Sequence, residues 1–167
     1  MAFDVNAFLN TSYESAFETD YVLVPVGTYI ASLKGLPTFK LVDPGDVASS
    51  KPGRVYAGVT LRIYDEELAK AFNSKTPGEV TMPASIYFDV APDNHNVILW
   101  GKNQSIDLGK LRDALGQNEP GVPWNPGMLE NAGPVVIKVD EAFRRDSEGN
   151  VTDRKKNVVT SWGRYTG

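Results

Sequence analysis

A chain of 167 residues, 41% hydrophobic and 10% aromatic, can bury a core of its own, which excludes a wholly disordered protein. It contains no cysteine, which excludes disulfides, a thiolate nucleophile and a cysteine-based zinc site, and suits a reducing compartment. The net charge of −4 argues against a nucleic-acid binder that uses its whole surface, but the charge is unevenly placed.

No Lys or Arg precedes Lys34, while Asp4, Glu14, Glu18 and Asp20 make the opening acidic. The same stretch carries spaced aromatics, Phe3, Phe8, Tyr13 and Phe17, and is expected to form a short helix or an arm over residues 1–20. A single domain is expected over 21–167. The first residues lack the basic and apolar regions of a signal peptide, and no apolar run has the length of a membrane-spanning helix. A soluble protein with no membrane partner is expected.

Val22–Leu33 reads as the entry to a first strand, with Pro25 and Gly27 setting the approach. Residues 43–53, rich in Pro-Gly and Ser, read as a loop. Arg54–Tyr64 alternates cleanly. Val55, Ala57, Val59, Leu61 and Ile63 form a core face, and Tyr56, Gly58, Thr60, Arg62 and Tyr64 the other. Two rings and a guanidinium along one surface can stack on bases and meet phosphate. Tyr56 and Tyr64 can equally be cross-strand packing partners.

Asp65–Phe72 reads as a short helix with its acids at the start, as the helix dipole favours. Glu79–Val90 alternates again, and Pro83 there points to an edge position or a bulge. Asp93–Asn96 reads as a polar turn and Val97–Trp100 as a short strand. Ser105–Leu115 is the one clear amphipathic helix, with Leu108, Leu111 and Leu115 on a common face, Ser105 or Asp107 as its cap and Gly116 as its stop. A Pro-rich loop follows, in which Trp124 either stacks on a ligand or plugs the core.

Pro134–Tyr165 reads as a long hairpin: an alternating arm with Val135, Ile137 and Val139 on one face, a polar turn over Arg145–Asn150, and a return arm Asn157–Trp162. Arg144, Arg145, Arg154, Lys155 and Lys156 gather between arms and turn as the densest basic cluster of the chain, able to meet a nucleic-acid backbone.

Catalytic chemistry finds no support. The lone histidine, His95, can supply neither a standard zinc site nor a triad with a Gly-x-Ser-x-Gly elbow, which the chain lacks. There is no phosphate loop and no dinucleotide fingerprint. Asp146–Asn150 has the look of a fragment of a calcium loop but lacks its ligand spacing. No enzyme activity, catalytic residue, metal or cofactor is expected.

The order of motifs has a parallel. An acidic aromatic arm leads to Val24-Pro25-Val26-Gly27-Thr28-Tyr29, then to a Gly-led long strand over Gly53–Tyr64 and a second strand. Leu108-Gly109-Lys110-Leu111-Arg112-Asp113-Ala114-Leu115-Gly116 follows, then Met128-Leu129-Glu130-Asn131-Ala132-Gly133 and a hairpin with Asn157-Val158-Val159 on its return. This succession resembles the small single-stranded-DNA-binding proteins of bacteriophage replication and recombination modules.

The resemblance implies a mainly β chain, an OB-like five-stranded antiparallel barrel with one inserted amphipathic helix and an N-terminal arm. It also implies non-catalytic, sequence-tolerant binding of single-stranded DNA in the host cytoplasm, with a homo-oligomer and phage replication or recombination proteins as further partners. The residues expected to carry binding are Arg54, Tyr56, Arg62 and Tyr64, then Lys138, Arg154, Lys155, Lys156 and Trp162 from the hairpin. Arg144 and Arg145 stand behind them, since hairpin tips are often merely solvated. The alternative is a phage structural protein, a capsid-decoration or head–tail component whose arm reaches a neighbouring subunit. A small inhibitor of a host protein is a third reading.

Overall fold

Strand alternation organises the molecule. The computed structural model describes residues 2–16, 22–46, 49 and 51–167. The longest ladder joins β3 (Val55–Tyr64) to β4 (Glu79–Phe88), antiparallel and without a register shift over all ten pairs, Val55 facing Phe88 and Tyr64 facing Glu79. Every second residue of each turns inward. Ala57, Val59, Leu61 and Ile63 meet Val80, Met82, Ala84, Ile86 and Phe88 in the core. Among the described residues β4 pairs with no other strand, so the position expected for Pro83 is the edge one, and no bulge accompanies it.

β1 (Gly27–Leu33) joins two halves of the sheet. Its last residues, Ala31–Leu33, pair with Leu61–Ile63 of β3, and Gly27–Ala31 pair with Val135–Val139 of β7 (Val135–Arg145). β2 (Thr38–Leu41), which the sequence did not announce, lies on the same side of β3, opposite Val55–Gly58. β8 (Val151–Arg164) pairs with β7 and completes an antiparallel sheet of six strands, ordered β2-β3-β1-β7-β8 with β4 on the far side of β3. A small ribbon of β5 (Val90–Ala91) and β6 (Asn94–Ile98) stands apart.

The chain is thus mainly β, but three expectations change. The sheet has six strands rather than five and does not close into a barrel, because β4 and β8 approach without pairing. Helices are α1 (Val5–Leu9), α2 (Glu66–Ala71) and α3 (Ile106–Ala114), three among the described residues: α1 and α2 fall where short helices were read, whereas the barrel implied by the resemblance carries α3 alone. Asn94–Asn96 belong to β6, so the turn lies earlier, at Pro92–Asp93, and His95 is an exposed strand residue.

α3 lies against both β4 and β8 and sends Leu108, Leu111 and Ala114 into the core. Its C-terminus closes in a Schellman arrangement: Gly116 at φ +70° donates to Asp113 O (3.1 Å), and Gln117 donates to Arg112 O (2.8 Å). Its N-terminus departs from expectation. Ser105 holds the cap position, yet its side chain makes no capping bond. Its Oγ donates to Leu99 O (2.7 Å) and accepts from Asp89 N (2.9 Å), tying the helix start to the end of β4. Trp124 rests half-buried against the core; its Nε1 donates to Gln117 Oε1 (2.9 Å), and the Arg112 guanidinium lies 4.4 Å from its ring. No helix among the described residues is long and apolar enough to cross a membrane.

Candidate nucleic-acid interface

The unpaired edges of β4 and β8 face one another across a groove of about 1290 Å³. One wall is the outward face of β4 with the beginning of β3, and the other is the middle of β8 with the tip of β7. Sequence alternation dictates what the first wall shows. With Ala57 and Ile86 turned into the core, their neighbours Tyr56 and Tyr87 must turn out, and these two are register partners. Their rings meet edge-on, 5.6 Å apart at 62°, and Ser85 Oγ donates a long bond (3.4 Å) to Tyr56 Oη. Lys51 Nζ lies 5.8 Å from the Tyr87 ring centre. Burial, and then the neighbouring Tyr56 hydroxyl, raise the Tyr87 phenol above its ordinary pKa, so it remains a neutral ring at physiological pH.

Arg54 opens the same wall. Its Nε lies 2.9 Å from Asp89 Oδ1, while Ser105 N donates to Asp89 Oδ2 (2.6 Å). Asp89 is therefore held from two sides and holds the guanidinium at the groove. Arg144 and Lys156 contribute from the facing wall, and no described residue forms an ion pair with either. Four cations, Lys51, Arg54, Arg144 and Lys156, thus meet two carboxylates, Asp89 and Asp107, in a chain that is acidic as a whole.

Of the residues expected from the sequence, Arg54, Tyr56 and Lys156 come together here. The others do not line the groove. Arg62 and Tyr64 lie toward the opposite end of β3, about 20 and about 26 Å along the strand from Tyr56. There Arg62 pairs with Glu79 (3.4 Å), and Tyr64 faces the same residue. Tyr56 does have a cross-strand packing partner, Tyr87, as its alternative reading allowed. Lys138 sits on the outer face of β7 between Thr28 and Ser161. Trp162 is half-buried against the core opposite Ile137, and Lys155 pairs with Glu141 (3.4 Å) beside the Phe143 ring. Arg154, Lys155 and Lys156 are strand residues of β8, not loop residues. Arg145 is used within the turn, donating to Gly149 O (3.0 Å).

Sequence reasoning passed over Lys51 and Tyr87 and placed Arg144 behind its neighbours. Tyr87 was legible: it occupies the outward register of the alternating run whose inward register is Val80–Phe88. Lys51 had no such signal, since only the folded loop brings it to the Tyr87 ring. Among the described residues no group of three or more His, Cys, Asp or Glu side chains is placed to hold a metal ion. Comparison with protein-family models finds no match, and neither does comparison with curated proteins or with solved structures.

Proposed function

We propose that the protein binds single-stranded DNA, without catalysis and with little sequence preference, in the groove between β4 and β8. The observation that carries the reading is the juxtaposition of two tyrosine rings with four cations on two facing walls. A ring offers a π-face to any base, and cations at the walls can neutralise phosphates on either side of it. A duplex keeps its bases stacked within itself, so the rings favour an unpaired strand. The fold is compatible with an OB-like module whose seam stays open: β4, β3, β1, β7 and β8 lie side by side in that order, with α3 between β4 and β7 in the chain. A setting in phage replication or recombination rests on the sequence resemblance.

Titration of fluorescent oligo-dT at two salt concentrations tests the proposal. Neutralising three or four phosphates gives a slope of log affinity against log salt of about −2 to −3 for a single strand. Undetectable binding at low salt, or binding indifferent to salt, would overturn it. The exposed arm would then favour the phage structural reading, with a neighbouring subunit as its partner.

A further inference from the structure

We propose, resting on the nucleic-acid reading above, that a bound strand does not end in the seam but crosses the start of α3 and stacks a further base on Trp100. Trp100 is then a second stacking station, set in a depression of its own. Three observations carry it.

The first is continuity. A depression of about 970 Å³ lies between β6, α3 and the Pro-rich loop, and Ser105 and Ile106 line both it and the groove. Only the first turn of α3 divides the two, and Ile106 there is 48% exposed and uncharged. Gly101 borders the depression and Asn103 the groove, so Lys102 stands at the divide. No described residue forms an ion pair with Lys102.

The second is Trp100 itself. At 77% it is the most exposed large apolar residue among those described, whereas Trp124 and Trp162 pack against the core. Burying an indole would stabilise the chain, so folding alone gives no reason to hold this one in water.

The third is a rigid mount. Leu99 N donates to Asp89 O (2.8 Å) and Leu99 O accepts from Ser105 Oγ (2.7 Å), which fixes the backbone just before the ring. Just after it, Gln104 N donates to Gly101 O (3.1 Å) and Gly101 N to Gln104 Oε1 (2.9 Å). Asn103 (φ +61°) and Ser105 (φ +48°) both take the left-handed conformation within this turn, one that only a surrounding bond network maintains. A ring on a fixed mount has little freedom left to lose when a base stacks on it. Asp89 and Ser105 also hold Arg54 at the groove, so the two stations share one anchor.

The lining of the depression suits a base better than a phosphate. Asn96, Gln104 and Asn125 offer amides, and its two charges, Arg112 and Glu119, are opposite in sign. Arg112 is already engaged, lying over the Trp124 ring and donating to Gln117 O (3.0 Å). Stacking is thus added here without net charge, and phosphate neutralisation stays with the seam.

Oligo-dT of graded length, about 4 to 16 nucleotides, separates the two stations. Trp100→Ala is expected to bind the longest oligomer about fivefold or more weakly than the parent chain, and Trp100→Phe to recover most of the loss. The slope of log affinity against log salt should not change, since a ring neutralises no phosphate. The affinity gap should close with the shortest oligomer that binds. Tryptophan emission of the parent chain should be quenched by the long oligomer, and that of Trp100→Ala far less. Equal affinity of the parent chain and Trp100→Ala for the longest oligomer overturns the second station and leaves the seam reading standing. A gap of the same size at every length does so too, since it marks an effect on folding. Failure of the parent chain to bind any oligomer at low salt overturns the nucleic-acid reading, and the second station with it.

Discussion

Tyr87 and Tyr64 make a controlled pair. Both lie on outward strand registers, but only Tyr87 faces the groove with its ring against Tyr56. Tyr87→Ala is expected to weaken oligo-dT binding by about 1–3 kcal/mol, the range for a base-stacking ring, and Tyr64→Ala to leave it unchanged in the same titration. The phenols of Tyr87 and Tyr29 also bear on stability. Burial raises both above 10.0, aided by the Tyr56 hydroxyl at Tyr87 and by the Asp65 charge at Tyr29. The folded chain therefore holds these protons more tightly than the unfolded chain. The stability this contributes is present in full below about pH 10 and is lost as pH rises through the folded pKa values. Denaturant midpoints should fall above pH 10, and Tyr87→Phe should remove part of that fall.

Between elements, two loci hold the strands in place from outside the ladders. Gly133 lies at φ +141° at the entry to β7, where an added Cβ would stand 2.6 Å from Ser32 Oγ and 2.9 Å from Ser32 Cα. Gly133→Ala must push β1 and β7 apart, and a loss of about 2–4 kcal/mol is expected in chemical unfolding. Asn157 joins β8 to a segment 133 residues earlier. Asn157→Ala would leave the Val24 N–H and C=O without partners in the interior, at a cost of about 1–3 kcal/mol.

Neither locus could be read from the sequence, because each depends on which distant backbone comes alongside. What was legible was local. The alternations of β3, β4 and β7 and the leucine spacing and Gly116 stop of α3 follow from periodicity, and the structure retains them. The limits of β8 were not legible, since Arg154, Lys155 and Lys156 look like loop residues until β7 is present to pair with them. The same applies to the site. Tyr56 and Arg54 follow from β3 alone, but their union with Lys51, Arg144 and Lys156 is a tertiary event. Arg62 shares a strand with Tyr56 and still belongs to a different place.

At the scale of the whole molecule, an acidic chain brings four of its 17 cations to one seam of its sheet. Preference for an unpaired strand should follow from that seam rather than from net charge. A 20-nucleotide duplex competing against labelled oligo-dT is expected to displace it at least tenfold less effectively than unlabelled oligo-dT; equal potency would point to a general polyanion surface.

The two walls of the seam differ in how they are supported. β3 and β4 are backed by core along their length, whereas the β1–β7 ladder ends at Val139, so Ala142–Arg145 and Val151–Lys156 project as a two-stranded ribbon. Isolated ribbons are only marginally stable. The molecule is therefore a caliper with one fixed jaw and one compliant jaw, and Arg144 and Lys156 ride on the compliant one. Backbone order parameters should be near 0.85 through β3 and β4 and distinctly lower over residues 144–156, rising there when the jaw closes on a strand. Under the proposed nucleic-acid reading, width would then be set by the ligand, so that one groove would accept purines and pyrimidines alike.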